Sequence, residues 1–147
     1  MSGRKYRNLN DYNSNNNNSS PPSIQQEDSC LTQWNHMKSQ NTTNPEKWGP
    51  QFWFILHNAA AHYPDVASPI CANRVKGFIL GIPYMLPCQS CSEDANFFIN
   101  NNYDKLDEIC SSKEKLFEFF RQFHNYVNTK TGKPQMSKEH AQALYKY

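Results

Sequence analysis

All nine phenylalanines of this chain lie beyond residue 44, and that asymmetry decides where a core can form. Residues 1–44 hold 9 hydrophobic residues and 10 asparagines, with an unbroken run from Asn15 to Asn18. Residues 45–147 hold 46 hydrophobic residues in 103. Ordering the first segment would bury too little apolar surface to offset the entropy lost, so it reads as a disordered asparagine-rich tail. The folded domain is therefore 45–147. A unit of that size builds one modest core, and a disulfide, metal, cofactor or second subunit often supplements it.

Composition narrows the partners. A net charge of +2 leaves no electrostatic footprint for nucleic acid or for an anionic membrane, so neither is expected as a partner. No apolar run reaches the length of a transmembrane helix. The opening MSGRKYRNLN has no apolar signal stretch, and Ser2 stands where myristoylation needs glycine.

Strand signals are weak in 45–147, which has only three valines and no sustained alternation of apolar and polar residues. Helix signals recur instead. Asn44-Pro45 and Ser68-Pro69 each set a capping side chain before a proline suited to the first helical position. A first helix is expected from Pro45 or Pro50 to His62, ending before Tyr63-Pro64. A second runs from Pro69 to Leu86, with Gly77 and Gly81 allowing a neighbour's close approach and Pro83 bending its end. A third starts near Cys88 and ends in the Asn100-Asn101-Asn102 cluster. Ser111 and Glu114 have capping-box spacing, and Leu116, Phe120, Phe123 and Val127 then form a helical stripe. A short fifth helix, from Ser137 to Tyr145, follows the turn Thr131-Gly132-Lys133-Pro134. The pattern is all-α, a helical bundle with short connections.

Of the five cysteines, only Cys88-Gln89-Ser90-Cys91 has a spacing with immediate chemical meaning. Two cysteines three apart at a helix start can close a readily reduced disulfide, and the helix N-terminus favours a nucleophilic thiolate. The same spacing also suits half of a zinc site, or two incidental buried thiols. Zinc needs four ligands, and Cys71 and Cys110 flank the motif singly rather than as a second pair. A thioredoxin-like βαβ context is absent from the helical pattern.

Two other stretches carry candidate site residues. In Trp48-Gly49-Pro50-Gln51-Phe52-Trp53-Phe54-Ile55-Leu56-His57, Trp53 and His57 share a helix face with Gly49 one turn earlier. Taken on its own, that stretch reads first as an aromatic core stripe with a hydrogen-bonded histidine. In Phe123-His124-Asn125-Tyr126-Val127-Asn128, three polar side chains interrupt a phenylalanine-rich helix. If buried they need a flat ligand with polar edges or a water network, and otherwise they are the wet face of an amphipathic helix. Lys130 and Lys133 follow and could meet a ligand's phosphates.

The order W-G-P-x-x-W-x-x-x-H with Y-P, then C-x-x-C, then H-N-x-V-N and K-x-x-K-P, resembles the Erv/ALR family of FAD-dependent sulfhydryl oxidases over residues 48–145. Ile82-Pro83 shortly before Pro87-Cys88 is most similar to the branch carried by large cytoplasmic DNA viruses. The resemblance implies a four-helix bundle with a short fifth helix, FAD at one end, and a homodimer. It implies Cys88 as the interchange thiol and Cys91 as the sulfur against the isoalloxazine ring. Gly49, Trp53, His57 and Tyr63 match positions around the cofactor. His124, Asn125, Val127 and Asn128 match its adenine and ribose side, Lys130 and Lys133 the pyrophosphate region, and Tyr145 an aromatic near the adenine.

The implied reaction oxidises dithiol protein substrates or thioredoxin-like carriers and passes the electrons through FAD to dioxygen, giving hydrogen peroxide. The alternative is a zinc-binding or structural helical module that uses the CxxC as ligands. Two departures stand out. Arg121 and Lys138 occupy the positions of a structural disulfide found in cellular members, and the tail offers only Cys30 where many members carry a shuttle CxxC. Substrate then reaches Cys88 directly, or Cys30 pairs across chains. Whether Cys71 and Cys110 form a different staple depends on their separation in the fold. The implied location is host cytoplasm or virion, with the mitochondrial intermembrane space as the alternative.

Overall fold

The computed structural model describes residues 44–145, and their regular structure is helical: six α-helices and one 3-10 turn. The all-α expectation holds over these residues. The asparagine-rich tail and Cys30 lie outside them, as do residues 146–147.

Each main helix begins where a local side chain satisfies its free amides. Helix α1 (Pro45–Ala61) is capped by Asn44, whose Oδ1 accepts from the Glu46 amide at 2.9 Å. Helix α2 (Pro69–Met85) is capped by Ser68, which accepts from the Cys71 amide at 3.3 Å. Helix α3 (Gln89–Asn100) has Cys88 as its cap, with sulfur accepting from the Cys91 amide at 3.4 Å. After a 3-10 turn (Tyr103–Lys105) and the one-turn α4 (Leu106–Ile109) comes α5 (Lys113–Thr131). It stops at Gly132, whose φ of 68° is the left-handed conformation that glycine adopts without a Cβ penalty. Helix α6 (Lys138–Tyr145) starts beside Ser137, whose hydroxyl accepts from the His140 amide at 3.1 Å.

Three local expectations change. The cap of α5 is Ser112 rather than Ser111, because the Ser111 hydroxyl donates back to the Glu108 carbonyl at 2.6 Å and so closes α4. A Cβ at Gly77 or Gly81 would meet nothing within 4 Å, so no neighbour packs closely there. Helix α2 meets the core through Ile79, Ile82 and Pro83 instead, and it runs through Pro83 to Met85. The turn and α4 were not foreseen, and within them Leu106 is the one fully buried residue, too little for a periodic signal.

Helix α5 is the centre of the fold, packing on α1, α3, α4 and α6, while α2 packs on α3 and α4. Its sequence explains this position. Leu116, Phe117, Phe119, Phe120 and Phe123 are all buried, and together they cover more than one face. Val127, the last residue of the expected stripe, is half-buried against the same core. Burying one such phenylalanine contributes roughly 1.5–3 kcal/mol, so this helix supplies much of the core's stabilisation. Among the described residues, no helix is long and apolar enough to cross a membrane.

Candidate functional site

Cys88 and Cys91 are disulfide-bonded at the N-terminus of α3. Ser90 Oγ approaches Cys88 Sγ at 3.3 Å. Directly after the motif, fully buried Ser92 donates to the Pro83 carbonyl at 2.6 Å and also reaches the Leu86 carbonyl at 3.4 Å. The first turn of α3 is thereby fastened to the end of α2. Both sulfur-bearing residues are half-buried, and Cys91 packs against the core. A disulfide in this position can be reached from solvent, and Cys88 Sγ, which accepts the Cys91 amide, lies at the partial positive charge of the helix start.

Aromatic rings from α1, α5 and α6 form the second cluster. Trp53 stacks on His124 with centroids 4.2 Å apart, and His57 stacks on Tyr145 at 4.3 Å. Between the stacks, His57 Nε2 and His124 Nδ1 lie 3.1 Å apart. Burial, then the neighbouring His124, lowers the His57 pKa to about 3. Burial, then Lys133, lowers that of His124 to about 4. Both rings are therefore neutral near pH 7, and one donates to the other. The remaining ring nitrogen of His57, Nδ1, is buried with no hydrogen-bond partner. A buried polar atom of this kind calls for an explanation, and a ligand is one.

Phe123 joins this cluster to α3. It meets Trp53 edge-on at 5.1 Å and stacks on Phe98 at 4.9 Å. Lys130, also on α5, pairs with Asp94 of α3 at 2.5 Å and lies 5.4 Å from the Tyr126 ring centroid. Asp94 follows Cys91 by three residues, so α5 grips α3 one turn beyond the disulfide. Gly49 is open, with nothing within 4 Å of an added Cβ, and Lys133 is exposed.

The fold therefore gathers Trp53, His57, His124 and Tyr145 into one cluster. It does not bring Asn125 or Tyr63 into it. The Asn125 amide is committed to the backbone of Met136, donating to its carbonyl at 2.9 Å and accepting from its amide at 2.8 Å. Arg121 donates to the same carbonyl at 2.8 Å, while Glu118 holds its guanidinium at 2.6 Å and 2.9 Å. Asn128, buried, leans on Asn125 at 3.4 Å and accepts the Lys133 amide at 2.8 Å. Tyr63 donates to the Cys110 carbonyl at 2.9 Å, and burial holds its hydroxyl above the ordinary phenol range.

Ser92, Asp94 and Phe98 were missed from the sequence. Asp94 had a usable signal, since its spacing from Cys91 puts both on one helix face. Among the described residues, no three histidine, cysteine or acidic side chains gather as metal ligands, and the CxxC sulfurs are bonded to each other.

With this geometry in hand, comparison with known proteins is specific. The Erv1 / Alr family model matches residues 50–146. A protein of Invertebrate iridescent virus 3, named "Putative FAD-linked sulfhydryl oxidase 096R", is 40% identical over 94 residues, covering 64% of this chain and 62% of its own. This chain thus spans less than two thirds of that relative. The similarly named 347L of Invertebrate iridescent virus 6 is 36% identical over 107 residues, covering 71% of this chain and 96% of its own. The crystal structure of the yeast Erv1 core superposes with a TM-score of 0.64 at 26% identity, covering 72% of this chain and 86% of that one.

Proposed function

Because the chain belongs to the Erv1/Alr family, we propose that it is an FAD-linked thiol oxidase that forms disulfides in protein substrates through Cys88 and Cys91. The observation that carries this reading is the disulfide capping α3, with one side open to exchange and Cys91 packed inward. A substrate thiolate attacks Cys88 Sγ, the Cys88–Cys91 bond breaks, and a mixed disulfide forms at Cys88. Cys91, in the first turn of α3, departs as a thiolate, and the amide that caps Cys88 Sγ favours the Cys88 thiolate once exchange is complete. A second substrate thiolate then displaces Cys88, leaving the substrate oxidised and the dithiol reduced. FAD held beside Cys91 would supply the two-electron acceptor for this dithiol and the route to dioxygen that gives hydrogen peroxide.

The residues fit such a cofactor. The unpartnered Nδ1 of His57 and the two stacked aromatic pairs suit a flat ring with polar edges. Trp53, His57, His124 and Tyr145 would hold it, with Val127 and Asn128 on the adenine and ribose side and Gly49 leaving the approach open. Lys130 and Lys133 would serve the pyrophosphate, Lys130 exchanging Asp94 for it. In this reading α1, α2, α3 and α5 are the four-helix bundle, α6 is the fifth helix, and FAD sits at one end.

The chain is further read as a homodimer. Phe54 and Ile55 on α1 are each 60% exposed and, with Pro50 and Gln51, line an open apolar recess of about 430 Å³. A second copy would cover them. Iridescent-virus relatives favour host cytoplasm or virion as the location.

Purified protein supplied with a reduced dithiol should consume oxygen and release hydrogen peroxide, and Cys88→Ser and Cys91→Ser should each stop it. A folded, colourless protein that carries stoichiometric zinc and consumes no oxygen would overturn the reading.

A further inference from the structure

Outside the redox centre, two more cysteines occur among the described residues, Cys71 and Cys110, and both are free thiols. They lie 39 positions apart in sequence, one in the first turn of α2 and the other ending α4. The fold draws their segments together. The Ala67 amide donates to the Ser111 carbonyl at 2.9 Å, and the Lys113 amide donates to the Pro64 carbonyl at 2.9 Å. These bonds lay residues 64–67 beside 111–113, with Cys110 next to Ser111 and Cys71 one helical turn beyond Ala67. Farther along, Lys76 on α2 holds both carboxylate oxygens of Asp107 on α4 at 2.9 Å.

One side chain ties the two segments together. The Tyr63 hydroxyl donates to the Cys110 carbonyl at 2.9 Å, and after burial the neighbouring Cys71 thiol is the next cause that holds that hydroxyl above the ordinary phenol range. Both cysteines pack in the same core, Cys110 with 0% exposure and Cys71 half-buried at its edge. Neither takes part in the proposed reaction.

We infer that Cys71 and Cys110 are a second disulfide site, one that closes by thiol–disulfide exchange with an incoming disulfide and staples α2 to α4. The half-buried Cys71 reacts first. Its thiolate attacks the donor disulfide, whose S–S bond breaks, giving a mixed disulfide at Cys71 and one donor thiolate. The Cys110 thiolate then displaces the second donor thiolate, and the Cys71–Cys110 bond forms. Two thiols are oxidised, the donor takes two electrons, and the two released protons go to the donor thiolates. Burial, with Asp107 next, pushes the Cys110 thiol up to about 11, so the second step is the slow one and quickens as pH rises. The closed loop contains the whole Cys88–Cys91 motif, so the staple braces the two elements between which the redox helix is strung.

The chemistry needs no flavin, so this inference and the thiol-oxidase reading fail independently. The full chain carrying C30S, C88S and C91S retains only this pair. It is reduced, desalted, exposed to oxidised glutathione, quenched with acid, alkylated after denaturation and mapped by peptide mass spectrometry. The expected result is a Cys71–Cys110 linked peptide, with a melting temperature about 5 °C or more above that of the reduced form. Two alkylated thiols, or glutathione retained on Cys71, in a protein whose circular dichroism is helical would overturn the inference. The same treatment of the unmutated chain should leave one alkylatable thiol of five, and Cys71→Ser should leave two. Three free thiols in the unmutated chain would contradict it even if the triple variant fails to fold.

Discussion

The two halves of the site are built by opposite means. The sulfur half is local: Cys88, Cys91 and Ser92 are fixed by bonds to each other and to Pro83 and Leu86, all within nine positions. The aromatic half is assembled from afar. His57 meets His124 across 67 positions of sequence, and it stacks on Tyr145 from the last described turn. A local site persists as long as its helix start persists. A site made from three helices exists only when all three are docked, so its integrity tracks the whole fold.

Substitutions can separate the halves. The largest effect belongs to Cys91→Ser, which should reduce dithiol-driven oxygen uptake to below about 1% of normal. Its melting temperature should fall by about 10 °C at most with the fold retained, because the disulfide it removes closes a very short loop and constrains the unfolded chain less than a long one would. Oxygen-electrode and calorimetric measurements on one preparation check both. Phe123→Ala does the reverse. It removes a fully buried ring that contacts both Trp53 and Phe98, at a cost of about 3–5 kcal/mol, measurable by urea denaturation. The aromatic half should fail, with loss of flavin absorbance on gel filtration, while the Cys88–Cys91 disulfide still forms.

The same contrast explains what the sequence disclosed. The caps Asn44 and Ser68, the CxxC at a helix start and the stripe on α5 were all legible, because each depends on neighbours a few residues away. Trp53, His57 and His124 stood out as odd residues on helix faces, yet periodicity alone could not say that they meet. The work of Asn125 was invisible, since its partner is the backbone of Met136 in a connection whose path no local rule sets. Tyr63 likewise finds Cys110 only in the folded chain. The shift of the α5 cap from Ser111 to Ser112 has the same origin. Two serines compete, and the unforeseen α4 takes the first.

Acid should act on the aromatic half first. The folded pKa values of His57 and His124, about 3 and about 4, lie below the ordinary histidine value of 6.5, so the unfolded chain binds more protons between them. Their contribution is then fully present above about pH 6.5 and is lost progressively as pH falls toward 4. Glu118, held below its usual range chiefly by Arg121, contributes in the same direction at still lower pH. Denaturation midpoints measured from pH 7 to pH 4 should fall, and His57→Phe should flatten that slope relative to its own value at pH 7.

Smaller effects test the joints. Asn125→Ala should cost about 1–2 kcal/mol by leaving the Met136 backbone groups short of partners. It should speed flavin loss on dilution by loosening α6 and Tyr145, with thiol exchange at Cys88 unchanged. Smallest of all, Asp94→Asn should leave the melting temperature within about 2 °C, since an ion pair this open to solvent contributes little. If it instead halves stability, the joint between the halves is stronger than an exposed pair allows.

In the proposed reaction, electrons enter at the sulfur half and leave through a flavin held by the aromatic half. Anaerobic titration of the purified protein with a reduced dithiol, followed by visible absorption, tests it directly. The expected result is a flavin spectrum that bleaches in the unmutated protein, recovers when air is admitted, and persists in Cys91→Ser under the same titration. Folded protein without flavin absorbance, or bleaching at the same rate in Cys91→Ser, would contradict it.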